Sequence, residues 1–267
     1  MLIPIPPSPP LRPYVEGYVY VRDIVGAYRN FPITTAPRPG GVLTINLGRP
    51  NRSADGATTP ILSLLGVHTC ARGWLSDTDS HFIMALLTPV GLACFAPASG
   101  AGLAGALLDL GAVIGERAAN GLLDSAQARP DRLAGAVDSW LLARLIAEGE
   151  RPEMNLARAA CTLLSRSERV DVAAHELGVT RRHLSRIISR HLGISPKTLV
   201  DLYRLDRSVR ALQVGRDDAI EGFADQAHQI REWRRRLGVT PGRYARVGRS
   251  ALAEAIDPTA NRTAFYL

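Results

Sequence analysis

"RVDVAAHELGVTRRHLSRIISRHLGISPK", Arg169 to Lys197, reads as a helix, a tight turn at Gly178 and a second helix. Thr180 stands where the second helix needs an N-cap, since its hydroxyl accepts from a backbone N–H that has no partner inside the helix. Leu184, Ile187, Ile188 and Leu192 then recur at helical spacing and form one apolar stripe. Gly193 closes the helix and Pro196 follows as a stop or a start. The face left outside carries arginines and a serine.

The next stretch, "SPKTLVDLYRLDRSVRALQ", reads as a longer helix with Leu199, Leu202, Leu205, Val209 and Leu212 turned inward. Its 17 or so residues span about 26 Å at the helical rise. "GFADQAHQIREWRRRLGVTPGRY" (Gly222–Tyr244) then repeats the scheme: glycine, turn, a helix from about Asp225 to Leu237, Gly238, and "VTP" where the first copy has "ISP". Helix, glycine turn and helix with a basic outer face is the arrangement that lays a second helix in a DNA major groove. Two such units joined by one helix suit successive grooves on one face of a duplex, about 34 Å apart.

Charge supports the same division. The 267 residues carry a formal +7, but residues 1–150 hold 11 Lys/Arg against 12 Asp/Glu and residues 151–267 hold 21 against 13. A neutral half followed by a basic one points to a polyanion as partner of the second. The three cysteines, Cys70, Cys94 and Cys161, are widely spaced and are expected to be reduced, buried thiols in a cytoplasmic protein. His175, His183 and His191 fall eight apart, yet no carboxylate or cysteine completes a metal-ligand set. No nucleophile motif occurs, and no glycine-rich phosphate loop follows a strand. The chain is therefore expected to be no enzyme, with no cofactor and no metal. An enzyme would need a pocket in the first 145 residues, around His68, His81, Asp77 and Asp79, where "SDTDSH" reads more simply as a solvated turn.

The N-terminal half reads as β-rich and then helical. "MLIPIPPSPPLRPY" is proline-rich and extended, with no signal-peptide pattern. "YVEGYVYVRD", "GGVLTINLG" and "HFIMALLTPVGLACFAP" read as strands. Phe82–Leu108 holds no charge, but Pro89, Pro97 and a glycine-rich stretch argue for a buried strand pair with a loop and a helix start over a membrane span. "RLAGAVDSWLLARLI" places Leu133, Val137, Leu141 and Leu145 on one helical face. The expected fold class is α+β: a β-rich, barrel-like N-terminal domain with helices, then an all-α domain of two helix-turn-helix units joined by a helix. The expected domains are 1–145 for regulation, a linker at 146–155 that includes "AEGERPEMN" (Ala147–Asn155), DNA binding at 156–248, and a tail at 249–267.

Residues 168–246 resemble the DNA-binding domain of the AraC/XylS transcription regulators. "AAHELGVTRRHLSRIISRHLGISPK", "YRLDRSVRAL" and above all "GFADQAHQIREWRRRLGVTPGRY" carry the resemblance. The resemblance implies base-reading slots at Arg182, Ser185 and Arg186 in the first unit, where arginine suits guanine O6 and N7. In the second unit it implies Ala227, His228 and Arg231, with Gln226 at the helix start. Arg181, Arg190, Lys197, Arg235 and Arg236 are expected on phosphates, which fix register but carry no sequence information. Two departures stand out. Only nine residues, "QVGRDDAIE", separate Leu212 from Gly222, so the first helix of the second unit is clipped. Gln229 takes a slot that is usually apolar and Ile230 one that is usually small and polar; either Ile230 restores the contact by a slight helix rotation or the unit packs poorly.

The function this implies is bacterial, cytoplasmic, sequence-specific regulation of transcription, activation included. Double-stranded DNA is the partner, and the N-terminal domain senses a small-molecule effector or makes a homodimer. RNA polymerase is a further partner the family allows; a membrane is not. The competing reading is a helical protein-interaction module with a small-molecule-binding N-terminal domain and no base reading. Steep salt dependence of DNA retention separates the two.

Overall fold

The structure is a computed structural model that describes residues 2–26, 29, 32–96, 100–129, 132–148, 152–166 and 169–247. Strands β1 (Leu2–Ile5), β2 (Val15–Asp23), β3 (Pro32–Thr35), β4 (Val42–Asn46), β5 (Arg52–Ser53), β6 (Leu62–Leu65), β7 (Arg72–Leu75), β8 (Ser80–Leu87) and β9 (Leu107–Asp109) make two antiparallel sheets. The larger runs β1-β2-β8-β4-β6-β9 and the smaller β3-β7-β5. The sheets face each other without closing into a barrel, which narrows the barrel-like expectation.

Strand β8 shows why Phe82–Leu87 is uncharged. Alternate side chains of a strand point to opposite faces, and a central strand covered on both sides needs apolar residues on both. Phe82, Met84 and Leu86 meet the small sheet's side, with Val19, Val21, Val42, Ile33 and Trp74. Ile83, Ala85 and Leu87 meet the helices with Tyr18, Leu43, Ile45 and Leu64. Beyond Leu87 the expected strand stops. Thr88 caps a helix by accepting from Gly91 N at 3.0 Å, and Pro89 takes its first position. So "PVGLACF" is helix α1 (Pro89–Phe95), a correction to the all-strand reading of His81–Pro97; an apolar run alone does not tell strand from helix. Short helix α2 (Gly100–Leu103) comes next.

Helices α3 (Leu110–Ile114), α4 (Glu116–Ala128) and α5 (Leu133–Glu148) complete the N-terminal half. Leu133, Val137 and Leu141 are buried as their spacing predicts. Helix α6 (Pro152–Arg166) then begins four residues after α5 ends, so most of the expected linker 146–155 is helical. Residues 149–151 and the expected tail 249–267 lie outside the described residues. The C-terminal helices are α7 (Val170–Glu176), α8 (Arg181–Leu192), α9 (Pro196–Gln213), α10 (Gln226–Leu237) and α11 (Pro241–Val247). No described helix is long and apolar enough to cross a membrane.

The change of charge near residue 150 is not a break in packing. One apolar core runs from Leu11, Leu43 and Leu92 through Leu122 and Leu141 to Cys161, Leu184, Ile188 and Leu202. Of the cysteines expected to be buried, Cys161 is, whereas Cys94 is half-buried and Cys70 is exposed in the loop before β7. Both α1 and α2 pack against α8, and α1 also packs against α6. A smaller core holds Leu205, Val209, Trp233, Leu237 and Tyr244 from α9, α10 and α11, and into it projects Ala36 from the end of β3.

Candidate nucleic-acid interface

The two helix-turn-helix units are built alike at their ends. Thr180 accepts from His183 N at 3.1 Å to start α8, and Asp225 accepts from His228 N at 2.6 Å to start α10. Each helix has 12 residues and ends at a glycine in the left-handed region, Gly193 and Gly238, both at φ 72°. A side chain there would strain the backbone, which is why glycine follows each helix. Proline then opens α9 and α11.

In α8 the inner stripe is Leu184, Ile188 and Leu192, all fully buried, while Ile187 is half-buried. Outside lie Arg181, Arg182, Ser185, Arg186 and Arg190, all exposed. Arg182, Ser185 and Arg186 are three and four residues apart, so they share one face over the first turns. Arg186 Nη2 donates to His183 Nδ1 at 2.9 Å on that face. Lys197 is exposed in the first turn of α9.

In α10, Gln226, Ala227, Arg231, Arg234 and Arg235 are exposed. His228 is half-buried and engaged locally: Ala224 N–H donates to its Nδ1 at 3.3 Å, and its ring meets Phe223 edge-on at 5.6 Å. The Arg204 guanidinium lies 5.8 Å from the Phe223 ring centre. His228 thus holds the turn ahead of α10.

Two other sequence expectations meet specific partners. The clipped first helix is a single 3-10 turn, Asp217–Ile220. Gln229 is buried and satisfied: its Nε2 donates to Ala219 O at 2.7 Å and to Ser208 Oγ at 3.1 Å. Ser208 Oγ also accepts from Trp233 Nε1 at 3.0 Å and donates to Ala219 O. So neither a rotated Ile230 nor poor packing describes the unit. The glutamine ties the shortened support to the recognition helix and to α9. Gln229→Leu leaves this buried network short of two hydrogen bonds and is expected to cost about 1–3 kcal/mol, read as a lower urea midpoint. An unchanged midpoint would mean the network adds nothing.

Arg236 is the clearest departure from the phosphate set. Its side chain is 6% exposed. It donates through Nε to Glu232 Oε2 at 3.0 Å and through Nη1 to Thr69 O at 3.1 Å, with Asp201 at 3.8 Å. Arg235, 59% exposed, shares Glu232 at 2.6 Å. Burial pushes the Glu232 carboxyl up, but hydrogen bonds from Arg235 and Arg236 outweigh it and hold its pKa below the ordinary value. Of the residues considered for an enzyme, His68 bonds Ala36 O and His81 bonds Tyr20 Oη, so each has its own partner. Among the described residues, no group of three or more His, Cys, Asp and Glu is placed to hold a metal ion.

Residues 173–246 match the family model described as a helix-turn-helix domain. This part of the chain is an AraC/XylS-type helix-turn-helix domain. The AraC-type domain gives the chain its class, a DNA-binding transcription regulator. No curated protein matches the chain. Among solved structures it is similar to ToxT from Vibrio cholerae O395 at 13% identity, over 85% of this chain and 92% of that one, with a TM-score of 0.39. A second crystal form of ToxT from Vibrio cholerae gives 12% identity, the same coverage and a TM-score of 0.40. ToxT bound to (E)-4-(8-methylnaphthalen-1-yl)but-3-enoic acid gives 14%, 85% and 93%, and 0.39.

Sequence reasoning missed the partners that the N-terminal half supplies to the AraC-type domain. Glu16 sits at a β-bulge in β2, where the register against β8 shifts between Val15 and Gly17. Its Oε2 accepts from Arg38 Nη2 at 2.8 Å and from Arg210 Nη2 of α9 at 3.2 Å. Arg210 Nε also donates to Asp206 Oδ2 at 2.7 Å. Burial raises the Asp206 carboxyl, and the adjacent Arg210 opposes that rise. No local signal marks Glu16 or Arg38, because their partners are far away in sequence.

Proposed function

We propose that the chain is a sequence-specific regulator in which α8 supplies most of the base reading and α10 mainly grips the phosphate backbone. The observation that carries this is the exposed row Arg182, Ser185 and Arg186, on a capped helix whose opposite face is locked in the main core. Bidentate contact to a base edge needs such fixed geometry. Attraction to phosphate tolerates looser placement. In α10, Ala227 offers only a methyl group, and His228 is committed to the turn. Gln226 and Arg231 remain for bases, and Arg234 and Arg235 for the backbone. Around α8, Arg181, Arg190 and Lys197 serve phosphates. The N-terminal half senses a small molecule or pairs two copies of the chain, in a bacterial cytoplasm.

The experiment is retention of the intact chain on a genomic fragment library, with sequencing of what it holds. One recurring sequence motif, released by salt, is expected. Retention without any shared motif would leave DNA binding but remove specific reading.

A further inference from the structure

The last turn of a helix leaves carbonyls with no partner inside the helix. In α10 the Arg234 carbonyl is taken by Gly238 N at 3.1 Å, as the glycine cap provides. The Arg236 carbonyl is taken by Ala71 N at 2.6 Å, from the loop between β6 and β7 in the other half of the chain. The same loop receives the Arg236 side chain at Thr69 O. Residue 236 is thus held at its backbone and its side chain by residues 69–71. That loop is bridged to the segment after β3 through Arg38 and His68, and His68 reaches Ala36 O at 3.1 Å. Ala36 in turn projects into the apolar core between α9 and α10. Arg38 reaches α9 through Glu16 and Arg210. Two adjoining loops therefore seat the second unit, while α1 and α2 seat α8.

We propose that the N-terminal half is a splint that sets where α10 sits relative to α8, and that Arg236 is the positioning residue through which it does so. Reading two grooves at once depends on the spacing of the two helices. If each helix is seated on the same N-terminal body, that body fixes the spacing. Movement of residues 36–38 or 68–71 is then passed to α10 through Ala36, Thr69 and Ala71. This rests on the DNA-binding reading above.

The test uses the intact chain and four variants: Arg236→Ala, Arg236→Lys, Arg235→Ala and Ala71→Pro, the last removing the amide that α10 accepts from. Two things are measured: hydrogen exchange at the Ala71 amide without DNA, and affinity for the retained site and its base-substituted forms across a salt series. The splint predicts at least about tenfold faster Ala71 exchange in Arg236→Ala, an unchanged salt slope, and weaker preference at the base positions farthest from those read by α8. Ala71→Pro should reproduce the loss of preference, again with an unchanged slope. Arg236→Lys keeps the charge but not the forked contact to Glu232 and Thr69, and should not restore preference. Arg235→Ala should do the opposite: a salt slope lower by about 1, with Ala71 exchange unchanged. A slope lower by about 1 in Arg236→Ala, rescued by lysine and with Ala71 exchange unaltered, would make Arg236 a phosphate contact and overturn the splint. A wild-type chain with no salt-sensitive DNA retention would instead remove the reading on which the splint rests, whatever the exchange shows.

Discussion

Leu184→Ala is expected to lower the stability of the whole chain by about 2–5 kcal/mol, the range for truncating a fully buried leucine. Leu184 is 0% exposed and belongs to the core that joins the sheet-bearing half to the first helix-turn-helix unit. Helix α8 packs against α1 and α2 as well as α6, α7 and α9. The cavity would open where the two halves meet, so both should feel it. Unfolding followed by far-ultraviolet circular dichroism and by tryptophan fluorescence should give one shared midpoint, lowered together in the variant. Two separate transitions, with only the helical one displaced, would show that the halves fold independently and that the contact between them is weak.

Arg186→Ala is expected to cost about 1–3 kcal/mol on the preferred site and to flatten preference at one base position. Arg186 is exposed on α8, one turn along from Arg182, and in the free protein it donates to His183 Nδ1. That contact is to a half-buried neighbour on the same helix and can be exchanged for a charged or base-edge acceptor. The salt slope separates its role from that of Arg235. A base contact changes discrimination among sites, whereas a phosphate contact lowers affinity for all sequences and reduces the slope by about 1. Affinity for an operator series substituted at each base checks this. Uniform weakening across the series would place Arg186 on the backbone.

Features set by neighbouring residues were legible in the sequence. Thr180, Gly193 and Pro196 mark the ends of α8 and the start of α9 because capping is local chemistry. The nine-residue gap before Gly222 correctly signals a clipped helix, since a full helix does not fit there. The strand alternation of Val15–Asp23 is likewise a local pattern. "TPVGLACF" misled because its apolar content suits either structure, although Thr88 followed by Pro89 is a helix-start signal that could have settled it. Gln229 looked like a flaw because its acceptors, Ser208 and Ala219, come from a different helix and a 3-10 turn. Arg236 looked like its neighbours Arg234 and Arg235. What sets it apart is the arrival of Thr69 and Ala71, more than 160 positions away, over its side chain and carbonyl. Charge counting showed the basic half but could not show that the core passes straight through the boundary.

Specific reading of DNA is the function assigned above to the AraC-type domain. Its most direct test is the affinity of the intact chain for its best retained duplex and for a scrambled duplex of equal length, across about 50 to 200 mM salt. Both affinities should fall steeply and nearly in parallel as salt rises, with the retained duplex bound at least about a thousandfold more tightly throughout. Equal affinity for the two duplexes, or binding indifferent to salt, would rule out sequence-specific DNA binding by this chain.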